Sequence, residues 1–398
     1  MQVSQIAQIM NGATNEILGL TATGEQAPIA TEDLSVVVEK GKEALGATDV
    51  ENYTRKLIDR IGRVVFVDRK YSGSAPSILM DAWDFGSIRE KISGDIPDAE
   101  DNPAWGLQDG QTYNQDVFTA PNVSAKFYNK LDTLQHKVSI ADKQVYSAFD
   151  SIGQVNAFLS MILNDVENAL TVKMDAAIMR LLNAMIGETL YDAYKTGSGA
   201  NETLGAMTGA GNTRAINMLS LYNTRFSANL TATNCLTHKE FIRYCAYIMN
   251  LTRGRMRAIS RLFNVGGKAR FTSGDRLHAV FLEEFYSGAS VYLQSDVFHN
   301  EMTRLPNAET VPFWQGSGAG FDFTDTSKIQ IKTPSGKNVT ASGILGILFD
   351  REALVMGNMK RWTTTHYNAN GDFINNWFKW DISPYMDLNE NAVVFFVA

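Results

Sequence analysis

Apolar residues recur at Val155, Phe158, Leu159, Ile162, Leu163, Val166, Leu170, Met174, Ala177, Ile178, Leu181, Leu182, Met185 and Ile186. This is the three-and-four spacing of one helical face, and it predicts a helix over residues 154–188. The stretch is rich in Ala, Leu and Met and holds no proline, so its interior favours helix. Ser151 stands where an N-cap belongs, and Gly187 followed by Thr189 marks the expected end. At about 1.5 Å per residue the helix is roughly 50 Å long, enough to cross a whole domain.

Weaker patterns surround it. Residues 1–70 read as three short amphipathic helices separated by Gly-, Thr- and Pro-containing joints; the third has Val50, Tyr53, Leu57, Ile58 and Ile61 on one face. Such pieces are unstable alone and suit an arm lying on other surfaces. From 71 to 125 the strand-like runs SILMDAW and QDVFTA flank an aperiodic stretch broken by Gly94, Pro97, Pro103, Gly106 and Gly110. A two-stranded extension with an acidic tip is expected there. Val138 and Ile140 alternate in a strand that leads back to the body. Past the long helix, 189–212 is a glycine-rich loop and 213–226 a helix. TATNCLTH (231–238) reads as a strand, and 238–251 as a helix with Phe241, Ile242, Cys245, Ile248 and Met249 inward. Residues 276–285 form a buried strand, and Pro334-Ser335-Gly336-Lys337 signals a hairpin.

The clearest strands come last. GILGILFDREALVMG is a strand with a turn, and MKRWTTTHY alternates with Trp362, Thr364 and His366 on one face. Asn368-Ala369-Asn370-Gly371 is a hairpin turn, DFINNWFKWDISPYM the returning strand, and AVVFFVA the final one. These strands are expected to pack on the long helix. The fold class is α+β, with a discontinuous core domain and an inserted one.

Composition narrows the chemistry. The chain has 398 residues and a formal net charge of −7, where a protein that grips nucleic acid by its phosphates is usually basic. Cys235 and Cys245 are neither a CxxC pair nor a disulfide framework, and buried free thiols are expected. The first twenty residues lack the charge and apolar core of a signal peptide, and no window of 18 apolar residues exists to cross a membrane. HExxH, GxSxG and CxxC are absent; Gly267-Lys268 runs into Ala269 and fails as a phosphate loop. The glycines from Gly197 to Gly211 do not form GxGxxG and read as a connector. His136, His238, His278, His299 and His366 show no metal-ligand spacing. No catalytic, cofactor or metal residue is therefore assigned.

Charge patterning gives the only candidate site. Between Asp81 and Asp116 nine acidic side chains are opposed by Arg89 and Lys91 alone. Arg253, Arg255, Arg257, Arg261, Lys268, Arg270 and Arg276 are opposed by Asp275 alone. Surfaces of opposite sign on one chain allow head-to-tail pairing of copies into rings or lattices. The expected contacts are Asp95, Asp98, Glu100 and Asp101 of one copy with Arg253, Arg255, Arg257 and Arg261 of the next.

The order of parts resembles the tailed-bacteriophage major capsid proteins, whose fold is shared with encapsulins and herpesvirus capsid floors. Residues 1–70 resemble that family's N-arm and 71–135 its E-loop. Residues 136–212, with the helix at 154–188, resemble its peripheral domain and spine helix; 213–345 resemble the axial domain, and 346–398 the return strands of the peripheral domain. The final segment, from Asp350-Arg351-Glu352-Ala353 to the strand at Asn389–Ala398, carries the same style. The resemblance implies a structural, non-enzymatic shell subunit that assembles as hexamers and pentamers into an icosahedral capsid. Packaged double-stranded DNA, held by non-specific proximity, a separate scaffolding protein and a portal are its implied partners. It further implies assembly in the host cytoplasm, residence in the virion, and no cofactor or membrane. Two other readings compete with it: an encapsulin-like nanocompartment shell, and a soluble α/β enzyme or ligand-binding protein. The long arm and extended inserted domain argue against the first, and the sequence offers no convergent polar or titratable constellation for the second.

Overall fold

The computed structural model describes residues 75–81, 89–94, 101–113, 122–148, 152–199, 202–294, 308–315 and 323–398, with a few single positions between them. The predicted helices of 1–70 lie outside the described residues, as do Asp95, Asp98 and Glu100.

In chain order, β1 (Leu79–Asp81) precedes the pair β2 (Arg89–Gly94) and β3 (Val123–Tyr128), then β4 (Asp132–Ala141), α1 (Asp142–Ala148) and α2 (Ile152–Tyr194). A small hairpin, β5 (Lys195–Thr196) with β6 (Thr203–Leu204), leads to β7 (Ala215–Asn217), α3 (Met218–Phe226) and α4 (Lys239–Met256). β8 (Leu277–Leu282), α5 (Glu283–Gln294), β9 (Glu309–Val311) and α6 (Phe323–Thr326) follow. The chain closes with β10 (Ile329–Lys332), β11 (Asn338–Ala341), β12 (Ile344–Asp350), β13 (Leu354–Asn368), β14 (Phe373–Met386) and β15 (Ala392–Phe396).

Two main sheets flank α2. One has the order β1-β13-β14-β4, the other β7-β15-β12-β8-β9. In β14 the residues Ile374, Asn376, Phe378, Trp380 and Ile382 are buried, while the residues between them are half-exposed. That period-two pattern is the mark of a sheet with one covered face. Every residue of β12 and β15 is buried, as expected of strands covered on both faces. Gly346 sits in β12 where a Cβ would come within 2.1 Å of the Phe281 ring and 2.8 Å of the Val280 carbonyl. The neighbouring strand thus packs its aromatic ring into the space that a side chain at Gly346 would fill.

The helix α2 has 43 residues, about 65 Å of rod. Phe158, Ile162, Val166, Leu170, Met174, Ile178 and Leu182 are buried at steps of four residues. A four-residue step exceeds one turn, so the stripe drifts around the rod by about 40° per step. From Leu182 to Tyr191 every residue is buried, and the helix is enclosed on all sides.

The structure differs from the sequence expectations at identifiable points. The helix spans Ile152–Tyr194 rather than 154–188. Gly187 does not stop it; a Cβ there would lie 3.2 Å from both Ile331 and Thr333, so the glycine lets the β10–β11 hairpin approach the rod. The predicted loop at 189–212 is therefore helix up to Tyr194, then the β5–β6 hairpin. TATNCLTH is a 3-10 turn at Cys235–Thr237, not a strand. The Asn234 side chain accepts from the Thr231 amide (2.8 Å) and the Thr237 hydroxyl donates to the Asn234 carbonyl (2.7 Å), so local polar groups outbid the β-propensity of the threonines. Residues 276–285 switch from strand to helix at Glu283. Residues 346–398, expected as one set of return strands, are shared: β13 and β14 join the four-stranded sheet, while β12 and β15 join strands from 215–311. The turns at 334–337 and 368–371 and the last three strands lie where the sequence put them. A two-stranded extension is present, but its strands are REKISG, expected to be aperiodic, and VSAKFY, while Leu79–Asp81 of SILMDAW pairs with β13 instead. Both cysteines are buried and free.

Asn217 ties the sheet to the helices. Its Oδ1 accepts from the Ser220 amide at the start of α3 (3.2 Å), and its Nδ2 donates to the Ala398 carbonyl (3.0 Å).

Two substitutions test this architecture. Ala169→Pro, in the middle of α2, should cost about 3 kcal/mol or more; an unchanged melting temperature and helical circular dichroism would remove α2 from its central role. Gly346→Ala should cost about 1–3 kcal/mol by overpacking against Phe281, read as a lowered denaturant midpoint.

Candidate assembly surfaces

The β2–β3 pair is a ribbon joined to no other sheet among the described residues. It leaves the body after β1, at one edge of the four-stranded sheet, and returns at β4, the opposite edge. Its register sets Glu90 opposite Phe127, Ile92 opposite Ala125, and Gly94 opposite Val123. Directly opposed residues share a face, so these form one side of the ribbon. That side is open to solvent: Ile92 is 66% exposed, Phe127 65% and Val123 53%. The other side carries Lys91 opposite Lys126 and Ser93 opposite Ser124, the two hydroxyls 3.2 Å apart.

The lysine side faces the turn that joins β14 to β15. Lys91 Nζ lies 2.9 Å from Asp387 Oδ2 and 2.9 Å from Glu390 Oε1, and donates to the Glu352 carbonyl at 3.3 Å. Lys126 Nζ donates to Asp387 Oδ1 at 2.7 Å. Arg270 donates to the Gly94 carbonyl at 3.1 Å, and its Nε lies 3.8 Å from Glu390. Tyr128 packs its ring 4.9 Å from that of Tyr385.

The turn is itself fixed: the Asp387 amide donates to Ala353, the Gly266 amide to Leu388, and the Asn389 amide to the Asp387 carboxylate. Burial pushes the Asp387 carboxyl up, but bonds from Lys126, Asn389 and Lys91 outweigh it and hold it below the usual carboxylate range. Asp387 therefore stays charged until the pH falls through that lowered value; its contribution to stability is present above the ordinary carboxylate value and is lost as the pH falls through the lowered one. Removing one partner of a pair buried this way costs about 3–5 kcal/mol, because the other charge is left uncompensated.

Beyond the ribbon, the segment 101–113 is folded on itself. Asn102 Oδ1 accepts from the Ala104 amide (2.8 Å), the Gln108 amide donates to the Tyr113 hydroxyl (3.1 Å), and Gly110 turns with φ of 80°. This small knob presents Trp105 at 102% exposure, with Leu107 and Tyr113 also exposed. A tryptophan held in the open by an ordered loop is the kind of side chain that anchors interfaces. Asp101 is exposed beside it.

The basic run divides in two. Arg253, Arg255, Arg257 and Arg261 are exposed, with no ion-pair partner among the described residues, next to exposed Ile259, Leu262 and Phe271. Arg270 and Arg276 are structural: Arg276 pairs with buried Asp350 (3.2 Å), which also accepts from Thr272 (2.9 Å). Asp101 lies just before the turn at Pro103–Trp105, whereas Arg253 and Arg255 lie in α4 and Arg257 and Arg261 follow it.

The cluster of Lys91, Lys126, Asp387 and Glu390 was not among the residues singled out from the sequence. The signal lay in VSAKFY, where Val123, Ala125 and Phe127 alternate with Ser124 and Lys126 at strand spacing.

No group of His, Cys, Asp or Glu suited to hold a metal occurs among the described residues, and no described helix is long and apolar enough to cross a membrane. Burial raises the Cys235 thiol to about 11 and pushes Cys245 up as well, so both are poor nucleophiles.

No curated protein matches the sequence. Among solved structures, the capsid of Staphylococcus phage Andhra is similar at 12% identity, covering 83% of this chain and 86% of that chain with a TM-score of 0.47. The capsid of Cyanophage P-SCSP1u aligns at 12% identity over 84% of this chain and 92% of that chain, TM-score 0.41. The mature capsid of bacteriophage PhiM1 aligns at 10% identity over 83% and 87%, TM-score 0.40. The family model described as "Phi29-like phage major capsid protein" matches residues 14–396, nearly the whole chain. The chain belongs to this family and is a structural subunit of the phage capsid.

Proposed function

We propose that this subunit closes an icosahedral shell, as hexamers and pentamers of itself, around packaged double-stranded DNA. The single observation that carries the reading, beyond family membership, is the ribbon with its apolar side turned to solvent. Ile92, Val123, Phe127 and Trp105 have no cover within the chain among the described residues. Apolar groups gathered on a projecting element mark an interaction site, and a lattice of identical copies supplies a partner to every one of them. The ribbon reaches a neighbour, and the acidic residues Asp95, Asp98, Glu100 and Asp101 meet Arg253, Arg255, Arg257 and Arg261 of another copy. Each exposed pair contributes only about 0.2–1 kcal/mol, so the pairs set register while apolar contact supplies affinity.

In this reading the subunit has no catalytic step of its own. It assembles in the host cytoplasm with a separate scaffolding protein and a portal. DNA lies against the inner wall without sequence-specific readout, which suits a chain of net charge −7.

Electron microscopy of the purified chain, alone and with its scaffold, should show closed shells or capsomers. A monomer that stays dispersed at high concentration under both conditions would refute the shell. Reversing Asp98, Glu100 and Asp101 to lysine should reduce shell yield while leaving circular dichroism unchanged. Adding Arg257→Glu and Arg261→Glu should recover part of the yield. Normal assembly of the acidic-side variant alone would count against the charge pairing.

A further inference from the structure

The hydrophobic pattern of β2 and β3 does not by itself favour the way the ribbon lies. A free two-stranded ribbon would turn Ile92, Val123 and Phe127 onto the body and leave its lysines in water. Here the lysine side is inward and the apolar side outward. We propose that Lys91, Lys126, Asp387 and Glu390 form a charge latch that selects which side of the ribbon the subunit presents to its neighbour. Lys91 and Lys126 are positioning residues, acting on assembly through the face they hold outward.

Three observations support the latch. The two lysines are directly opposite in the register, so both amines reach the same turn together. That turn is pinned by backbone bonds to Ala353 and Gly266, so the carboxylates cannot follow the ribbon if it rolls over. Rolling the ribbon would also leave Asp387 and Glu390, both buried, without the lysines, with Arg270 as the remaining cation on Glu390. The reversed pose is thus penalised by two desolvated like charges, and the apolar side stays out. The groups facing the latch are Arg270, Tyr128 and Tyr385 besides its four members. Asp387 keeps its charge into mild acid, so the latch behaves as a fixed positioning element and not as a neutral-pH switch.

The value of the presented face for assembly rests on the shell reading above. The orientation itself is measured on the unassembled full-length chain, so the two can fail separately. The test compares thiol labelling at Ala125→Cys, on the outward side, with Ser124→Cys, on the inward side; Cys235 and Cys245 are buried and stay silent. With the latch intact, position 125 should label much faster than position 124. In Lys91→Met/Lys126→Met the difference should vanish or reverse, and in Lys91→Arg/Lys126→Arg it should persist. The single variant Lys126→Met, which keeps Lys91 on both carboxylates, should narrow the difference and serves if the double variant fails to fold. A preference for 125 that is undiminished in every folded Lys→Met variant would overturn the latch, as would its loss in the double arginine variant.

Discussion

The burial of one long helix by strands from the far end of the sequence is the interaction on which the fold depends. The rod α2 touches β4, β13 and β14 of one sheet and β7 and β15 of the other. A helix of this length with a stripe of Phe158, Ile162, Val166, Leu170, Met174 and Ile178 has no stable existence in water without that cover. Because the stripe drifts around the rod, one flat sheet cannot cover it. Two sheets at different azimuths, with the β10–β11 hairpin against Gly187, solve the geometry.

Much of this was legible in the sequence, for reasons that can be stated residue by residue. The helix announced itself because its apolar spacing persists over many turns, and the terminal strands because AVVFFVA and DFINNWFKWDISPYM are rich in β-branched and aromatic residues. Gly187 misled as a stop signal because its role is tertiary: the contact with Ile331 and Thr333 is invisible along the chain. TATNCLTH misled because Thr is both a strand former and a turn capper. The acidic and basic runs were found by counting charges, but counting could not tell the exposed Arg257 from Arg270, buried beside Glu390. The latch was missed because its halves are nearly 300 residues apart: Lys91 bonds Glu390 across a separation of 299.

Ribbon and latch together show how a projecting element can be made adhesive without collapsing onto its own body. Burying a Phe or Ile side chain yields about 1.5–3 kcal/mol, a standing incentive for the ribbon to fold inward. The buried ion cluster opposes that incentive with a penalty of comparable size. The adhesive side is therefore kept for another molecule by electrostatics, whereas the body is held together by apolar burial.

The strand pairing has a kinetic consequence. Leu79 pairs with Met356, Ile140 with Ile374 and Ala215 with Val394, so neither main sheet can be completed until the late strands have emerged from the ribosome. Topologies dominated by such distant pairings fold slowly and expose strand edges while they wait. During that interval α2 is already synthesised with its apolar stripe bare. The chain is therefore at its most aggregation-prone in the interval before its last strands pair.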